Sequence, residues 1–300
     1  MKVLISGSSG LVGSALCQRL ESEPDYEIVR LVRKQSTDTN DPSVVWNPSG
    51  GQLEPETFAG IDAVIHLGGV NIASRRWSAE MKQKIFNSRF QSTSLLSKQL
   101  AALEQKPSVM LCASAVGFYG DQGDERVDET SVRGSGFLAD VCQAWEEATH
   151  PARDAGIRVV NMRFGMILDQ QGGALSQMVT PFKLGVGGKL GSGKQYWSWI
   201  ALPDVINAIQ FCLEHTELQG PVNFVAPDEV TNLEFTKTLG KVLSRPTCLP
   251  VPAWGIKTLF GEMGQELMLT SARVTPGKLT DAGFQFQLPK LEDAFRSVLQ

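Results

Sequence analysis

Three glycines near the amino terminus have a spacing that suits the binding of a phosphate group. They are Gly7, Gly10 and Gly13 in the stretch GSSGLVG, which follows the apolar residues 3–6 (VLIS) and precedes a helical pattern. Gly7 would permit a tight turn, Gly10 a close approach of the backbone to a pyrophosphate, and Gly13 close packing of helix on sheet. A merely flexible turn is the alternative. The position between a strand and a helix favours a dinucleotide site.

The end of the next predicted strand indicates which dinucleotide would bind. Residues 27–32 are followed by Arg33 and Lys34, and the next carboxylate is Asp38. NAD sites place an acidic residue about 20 positions after the glycine loop to bind the ribose 2′-hydroxyl. A guanidinium group instead suits a 2′-phosphate. The pattern therefore favours NADPH, with a solvated strand end as the alternative.

These residues need a scaffold, and the chain alternates short apolar runs with longer helical segments. The predicted strands are residues 3–6, 27–32, 62–67, 108–114, 157–163 and 221–226, and the predicted helices are residues 11–20, 79–103, 136–150, 203–213 and 232–243. This alternation predicts an α/β fold with a Rossmann-type, doubly wound parallel sheet and a smaller C-terminal substrate lobe. The expected NADP-binding domain is residues 1–165, with the sheet completed by about 200–228. Residues 166–199 and 229–300 are expected to form the lobe that covers the cleft.

Composition excludes several classes of protein. The 300 residues carry 28 basic and 32 acidic side chains and a net charge of −4, which argues against nucleic-acid binding. No apolar run approaches the roughly 20 residues that cross a bilayer, so no membrane partner is expected. The five cysteines form no C-x-x-C pair, which fits a reducing cytoplasm. The three histidines lie far apart in the sequence, and no metal site is expected.

Further stretches resemble motifs of the extended short-chain dehydrogenases/reductases. Residues 62–69 (DAVIHLGG) are similar to their fourth-strand signature, residues 114–120 (SAVGFYG) to their serine segment with one residue inserted, and residues 160–165 (VNMRFG) to their sixth strand. Together with residues 191–200 (GSGKQYWSWI), they resemble the atypical SDR39U1-type branch of NAD(P)-dependent epimerase family proteins, which has its own C-terminal module. The resemblance spans essentially the whole chain.

That resemblance implies a set of cofactor contacts. They lie along the glycine loop, at the two cations, in the turn after the fourth strand, on the long helix and after the sixth strand. The implied cofactor-binding residues are Gly7, Ser8, Ser9, Gly10, Leu11, Val12, Arg33, Lys34, Leu67, Gly68, Gly69, Arg89 and Ile167. Small residues in the turn let the backbone approach the adenosine half of the cofactor. For Arg89, an exposed helical arginine is an equally good interpretation.

The proton-transfer pair of the superfamily is missing. Ordinary members use Tyr-x-x-x-Lys on the helix after the serine strand, where the lysine lowers the pKa of the tyrosine. If Glu146 is aligned with the usual acid of that helix, Leu138 stands at the tyrosine position and Cys142 at the lysine position. None of the three tyrosines has a lysine four residues later. Cys142 is expected to be a buried structural thiol rather than a nucleophile.

Ser114 and Tyr119 remain as candidate catalytic residues. Ser114 would hold a substrate oxygen, and Tyr119 would donate a hydrogen bond or a proton, although turn formation and packing are alternative roles. The expected function is that of an NADP(H)-dependent oxidoreductase or epimerase acting on a small carbonyl or sugar-like substrate. The alternative is a non-catalytic NADP(H)-binding redox sensor or regulatory protein, which the missing pair favours.

Two other segments are candidates for substrate contact. Arg76 and Trp77 place a cation beside an aromatic ring just after the fourth strand. Residues 188–194 (GKLGSGK) begin like a P-loop, but Gln195 stands where a hydroxyl group should hold Mg²⁺. A loop that closes over the substrate, with Lys194 and Gln195 pointing inward, is expected there, and an ordinary surface turn is equally possible.

Overall fold

Eleven β-strands are present in the computed structural model, which describes residues 1–34, 43–48, 51 and 53–299. They are β1 (Lys2–Ser6), β2 (Glu27–Val32), β3 (Ser43–Val45), β4 (Ala63–His66), β5 (Val109–Ala115), β6 (Arg126–Val127), β7 (Arg158–Phe164), β8 (Met166–Leu168), β9 (Trp199–Ala201), β10 (Gly220–Phe224) and β11 (Arg273–Val274). Seven of them form one parallel sheet in the order β10-β7-β5-β4-β1-β2-β3. The pairs β11–β6 and β8–β9, also parallel, lie outside it.

Helices connect these strands and cover both faces of the sheet. They are α1 (Leu11–Glu21), α2 (Ala79–Ala102), α3 (Phe137–Glu147), α4 (His150–Asp154), α5 (Gly173–Lys183), α6 (Leu202–Glu214), α7 (Asn232–Val242), α8 (Ala253–Phe260), α9 (Glu262–Gly264), α10 (Gly277–Asp281) and α11 (Leu291–Leu299). A π-helix, Gln265–Leu269, follows α9 directly. No helix of the described ranges combines the length and apolar composition that a membrane span requires.

The central strands are mainly apolar because both of their faces are buried. Six of the seven residues of β5, which reads VMLCASA, are buried. Successive side chains of a strand point to opposite faces of the sheet. One face packs on α1 and α6 through residues such as Ile5 and Ile209, and the other packs on α2 and α3 through residues such as Leu96 and Trp145.

The carboxyl ends of the parallel strands share one edge of the sheet, which we call the carboxyl edge. The glycine loop follows β1 there, and the turn at residues 67–69 follows β4. Ser114 lies near the end of β5, and Gly165 follows β7. Ligands of open α/β sheets bind outside such an edge.

A second aromatic core belongs to the C-terminal lobe, which we define as residues 166–199 and 229–300. Phe235 of α7 packs edge-on against Trp197 and Phe295, at ring-centroid distances of 5.2 and 4.9 Å. α7 begins with a capping box in which Thr231 and Glu234 satisfy each other's backbone N–H groups. The division of the chain into two domains at these boundaries remains a prediction.

The predicted fold class, an α/β Rossmann-type parallel sheet, is confirmed. Every predicted strand and helix is present at nearly the predicted bounds. The helix predicted over residues 136–150 is α3, which ends at Glu147, and a separate short helix, α4, follows it with Pro151 in its first turn, where a missing N–H costs nothing. α5 was not predicted, since Gly172 and Gly173 obscure its start.

Candidate functional site

The glycine loop makes its turn against the neighbouring strand. Gly7 has a φ of +76°, and a Cβ on it would lie 2.8 Å from the carbonyl carbon of Leu67. A Cβ on Gly13 would lie 2.2 Å from the carbonyl oxygen of Gly7. Only glycine at both positions lets α1 begin this close to β1 and to the turn after β4.

The first turn of α1 presents backbone donors without a competing side-chain acceptor among the residues that the structure describes. Its N-cap residue is Gly10, which supplies no side-chain cap, and the first turn contains no carboxylate. The N–H groups of Leu11 and Val12 have no partner within the helix, because the first residues of any helix lack an acceptor one turn earlier. Ser9 and Gly10 are exposed. Together with the positive end of the helix dipole, these donors are suited to a phosphate.

A buried histidine supports the turn after β4. Nε2 of His66 lies 3.1 Å from Oγ of Ser92, whose own proton is donated to the carbonyl of Ser88, so Nε2 carries the proton and donates it. Nδ1 therefore accepts from the hydroxyl of Ser6. Burial lowers the pKa of His66 to about 4, and the ring is neutral at pH 7.

The neutral state of His66 predicts a pH dependence of stability. The pKa of His66 falls from 6.5 to about 4 on folding. Its contribution to the free energy of unfolding is therefore complete above pH 6.5, and about 3 kcal/mol of it is lost as the pH falls toward 4. Urea denaturation of wild type and His66→Gln over this range should therefore show the stability difference between them shrinking as the pH falls. Parallel stability curves would contradict the assignment of a neutral ring.

Arg89 lies beneath the same turn and is half-buried rather than exposed. Its Nη1 donates to the carbonyl oxygens of Val70 at 3.1 Å and Ile85 at 3.2 Å, and its guanidinium lies 4.9 Å from the ring of Trp145. Desolvation lowers its pKa. A Cβ on Gly69 would lie 3.2 Å from the guanidinium carbon. Within the described ranges Arg89 has no carboxylate partner, so it offers positive charge beside the predicted cofactor turn.

Arg33 and Lys34 follow β2 at the carboxyl edge, and both are exposed. Neither makes a hydrogen bond or an ion pair with another residue that the structure describes. Ile167 of β8 lies on the opposite side of the loop: a Cβ on Gly173 would lie 3.4 Å from the carbonyl oxygen of Ile167 and 3.6 Å from a methyl group of Leu11. The structure thus gathers most of the predicted cofactor residues around the start of α1.

Ser114 is buried, and its hydroxyl proton is already in use. Its Oγ donates to Oε1 of Glu146 at 2.7 Å. The same carboxylate forms two hydrogen bonds with Arg163, from Nε and Nη2, each at 2.8 Å. A hydroxyl group has one proton, so toward a ligand Ser114 can accept a hydrogen bond but cannot donate one. The expectation that Ser114 polarises a substrate oxygen by donation is therefore not supported by this geometry.

Tyr119 lies in an apolar cluster with Val127, Val225 and Val274 and is fully buried. Its hydroxyl donates to Oδ1 of Asn223 at 2.7 Å and accepts from Nη1 of Arg163 at 2.9 Å. Desolvation raises its pKa to about 12. The predicted role of Tyr119 in proton transfer has no geometric support, because the hydroxyl is sealed from the carboxyl edge and holds its proton firmly.

The helix face that carries tyrosine and lysine in ordinary relatives is apolar here. A Cβ on Gly117 would lie 3.2 Å from Cβ of Leu138 and 3.8 Å from Sγ of Cys142. Burial raises the pKa of the Cys142 thiol to about 12, so the prediction of a buried structural cysteine is confirmed. Neither side chain can exchange a proton near neutral pH.

Two of the other predicted substrate contacts, Gln195 and Trp77, have structural roles. Gln195 is buried and donates to the carbonyl oxygens of Leu190 and Met268, so it does not point into a cleft. Trp77 donates to the carbonyl of Ile72 and packs edge-on against Phe137 at 5.1 Å. Lys194 is exposed.

One residue that supports the candidate site, Glu266, was not predicted from the sequence. The carboxylate of Glu266, on the π-helix, accepts from the backbone N–H groups of Phe137 and Leu138, each at 3.1 Å. It supplies the cap that Gly136 cannot supply and ties the C-terminal lobe to α3. No local pattern could have revealed a cap that comes from so far along the chain.

A cavity of about 790 Å³ lies beside α3 and α4. It is lined by β7 residues including Arg158, Asn161 and Arg163. Arg158 donates to carbonyl oxygens in the last turn of α6 and in the segment after it, which is a structural role. The cavity is distinct from the predicted cofactor site.

Comparison with known proteins gives consistent matches over the whole chain. The NAD dependent epimerase/dehydratase family model matches residues 3–225, and a domain of unknown function matches residues 251–298. An epimerase family protein of Mycobacterium tuberculosis is 44% identical over 284 residues, covering 95% of this chain and 93% of that protein. Human epimerase family protein SDR39U1 is 31% identical, covering all of both chains.

Solved structures agree with these sequence matches. The crystal structure of human SDR39U1 (isoform 2) with NADPH is similar at a TM-score of 0.89 and 30% identity, covering 99% of both chains. UDP-glucuronic acid 4-epimerase from Bacillus cereus, in complex with NAD, is similar at a TM-score of 0.78 over 99% of this chain and 95% of that one. It is 15% identical, so it shows the shared fold alone.

Proposed function

The chain belongs to the NAD-dependent epimerase/dehydratase family, and on that basis we propose that it is an NADPH-dependent oxidoreductase. The observation that carries the proposal is the uncapped first turn of α1, held against the turn after β4 by Gly7 and Gly13. Bound NADPH would supply a hydride to a small carbonyl or sugar-like substrate. The human relative crystallised with NADPH supports this choice of cofactor.

Each predicted cofactor residue has a defined task in this proposal. Backbone donors of the glycine loop hold the pyrophosphate, the two exposed cations hold the 2′-phosphate, and the small turn after β4 accommodates the adenosine half. Arg89 and Ile167 border the same space. The residues assigned to the cofactor are Gly7, Ser8, Ser9, Gly10, Leu11, Val12, Arg33, Lys34, Leu67, Gly68, Gly69, Arg89 and Ile167.

Selectivity for NADPH is tested by Arg33→Ala. Because only NADPH has the 2′-phosphate, the substitution should weaken its binding by about tenfold to a hundredfold and leave NADH binding nearly unchanged. Fluorescence titration with each cofactor measures both affinities, and Arg153→Ala, which removes another exposed arginine, is the control. Equal weakening of NADPH and NADH would show that Arg33 does not contact the 2′-phosphate.

The proton inventory favours water as the group that exchanges a proton with the substrate oxygen. A side chain in this role needs access to the site and a pKa near neutrality. Burial raises the pKa of both Tyr119 and Cys142 to about 12, and both ring nitrogens of His66 are bonded to serines. A carbonyl that accepts a hydride at carbon can instead take its proton from water. We therefore propose carbonyl reduction rather than epimerisation, with Ser114 accepting a hydrogen bond from the bound substrate or cofactor.

The reaction is tested by following the absorbance of NADPH with a panel of aldehydes and ketones. Ser114→Ala should lower kcat/KM by about tenfold, because it removes an orienting contact rather than a proton donor. Tyr119→Phe should retain turnover once the fraction of folded protein is taken into account. Loss of turnover in well-folded Tyr119→Phe would restore the role first predicted for this tyrosine.

A second candidate is a non-catalytic NADPH-binding sensor. It is favoured by the burial of Ser114 and by the apolar Leu138–Cys142 face of α3, which leave no proton donor at the usual position. Tight NADPH binding with no turnover on any carbonyl, together with NADPH-dependent capture of a protein partner, would favour the sensor over the reductase.

We also propose a reducing, cytoplasmic setting. All five cysteines are free thiols, four of them buried, and Cys248 is exposed. An exposed free thiol persists in a compartment whose glutathione keeps thiols reduced.

A further inference from the structure

The loop after β4 presents a guanidinium group whose donors are not used by the described part of the chain. Arg76 is exposed, and with the residues that the structure describes it forms no hydrogen bond and no ion pair. A Cβ on Gly261 would lie 3.2 Å from both Nε and Nη2 of Arg76. Gly261, with a φ of +61°, is the C-cap of α8 and the N-cap of α9. The guanidinium therefore lies against bare backbone of the C-terminal lobe, and its N–H groups are available to a ligand.

Local hydrogen bonds hold the loop that carries Arg76 in one shape. Oδ1 of Asn71 accepts from the N–H of Ala73 at 2.9 Å, and the carbonyl of Asn71 accepts from the hydroxyl of Ser74, also at 2.9 Å. Nε1 of Trp77 donates to the carbonyl of Ile72 at 2.8 Å. A charge on a preorganised loop binds a ligand at a lower entropic cost than a charge on a loop that must first be ordered.

The same loop packs on the start of α3, beside the place where ordinary relatives carry their tyrosine. The ring of Trp77 lies edge-on to that of Phe137 at 5.1 Å. The next residue, Leu138, stands at the tyrosine position, and a Cβ on Gly117, just after β5, would lie 3.2 Å from its Cβ. A short series of contacts thus joins the loop of Arg76 to the end of β5, where we expect the substrate.

The carboxylates closest to this loop in the fold already have partners. Glu262, next to Gly261, forms an ion pair with Lys82 at 2.8 Å. Glu266 accepts from two backbone N–H groups at the positive end of α3. The charge of Arg76 therefore remains for a ligand. A single guanidinium suits a single carboxylate, whose two oxygens match its planar fork, whereas a diphosphate would need further free cations.

We propose that Arg76 binds a carboxylate of the substrate. The proposal rests on the proposed reductase function, and it narrows the substrate to an oxo acid, a carbonyl compound that also carries a carboxylate. The carbonyl carbon would take the hydride of NADPH and the carbonyl oxygen a proton from water, while the carboxylate stays unchanged. Arg76 selects and orients the substrate in this role and takes no part in proton transfer.

Matched acids and esters test this selectivity. Pyruvate, benzoylformate and levulinate are compared with their methyl esters by following the absorbance of NADPH. The preferred acid should have a kcat/KM about tenfold or more above that of its ester. Arg76→Gln should raise the KM of the acid by about tenfold to a hundredfold with little change in kcat, because a contact made equally in the ground and transition states affects KM alone. Rates with the esters should not change. Arg75→Gln, which removes the adjacent exposed arginine, is the control.

A purely structural Arg76 would behave differently. If its guanidinium only held the C-terminal lobe against the loop after β4, Arg76→Gln would slow the reduction of acids and esters alike. That result, or equal kcat/KM for acids and esters in the wild type, would overturn the proposal. Arg76→Lys should restore part of the preference for acids, because lysine keeps the charge but not the planar fork. Sodium chloride should reduce the preference, because the site is exposed.

Binding without turnover separates this proposal from the reductase. Lactate and mandelate, the alcohols that correspond to pyruvate and benzoylformate, are titrated calorimetrically into the chain saturated with NADPH, with methyl mandelate as the uncharged probe. If mandelate binds, Arg76→Gln weakens its binding by about tenfold and no carbonyl is reduced, the carboxylate site is supported and the reductase is contradicted. If carbonyls are reduced with no dependence on a carboxylate or on Arg76, the reductase is supported and the carboxylate site is overturned. Neither binding nor turnover would overturn both.

Discussion

Gly13→Ala should lower the free energy of unfolding by about 3 kcal/mol or more and weaken NADPH binding by about a hundredfold. The added methyl group would lie 2.2 Å from the carbonyl oxygen of Gly7 and 2.8 Å from Cα of Ser8. These are backbone atoms and cannot rotate away, so α1 must move away from β1. The N–H donors of its first turn move with it and no longer converge on the pyrophosphate. Urea denaturation and NADPH fluorescence titration measure the two effects.

Gly255→Ala is the matched control for this substitution. Gly255 lies within α8, and a Cβ there would come no closer than 3.6 Å to any atom, a side-chain carbon of Pro252. Alanine in place of a helical glycine should leave stability equal or raise it by up to about 1 kcal/mol. NADPH affinity should not change. Wild-type stability and affinity in Gly13→Ala would mean that α1 does not begin as described.

The central sheet was predictable because parallel strands buried on both faces are mainly apolar. Each of the six predicted strands is a mainly apolar run, and each is separated from the next by a helical pattern or a turn. The shortest strands have no such signal. β6 and β11 have two residues each, and Arg126 pairs with Arg273, so only the folded chain brings them together. β3 is an edge strand of three residues, too short to produce a pattern.

The predicted phosphate site and the candidate catalytic residues also differ in whether their contacts are local in the sequence. The glycine spacing is local, and the clash at Gly13 involves Gly7, six residues earlier, so sequence alone could assign the geometry. The direction in which the Ser114 hydroxyl donates its proton depends on Glu146, which Arg163 holds in place. The direction for Tyr119 depends on Asn223, 104 residues away. Residue type alone suggested a donor in each case. The distant partners decide where the protons lie.

The buried hydrogen-bond network of Ser114, Glu146 and Arg163 also predicts that removing Arg163 has a large effect on stability. Arg163→Met should lower the free energy of unfolding by about 3–5 kcal/mol, because it leaves the carboxylate of Glu146 buried without its cation. The side chains of Arg163 and Glu146 are only 3% and 12% exposed, so solvent screens the pair weakly. Arg163 also stacks on the ring of Phe118 at 3.5 Å, a contact that methionine replaces only in part. Urea denaturation at neutral pH measures the loss.

Combining Arg163→Met with Glu146→Gln separates the contribution of the ion pair to stability from the contribution of side-chain packing. The double variant has no uncompensated buried charge, and glutamine can still accept the proton of Ser114, so its loss of stability should be clearly smaller than the sum of the two single losses. Arg153→Met, which breaks an exposed pair with Asp154, should change stability by no more than about 0.5 kcal/mol. Additive single losses would mean that Glu146 and Arg163 are not coupled, and the assignment of this buried ion pair would fail.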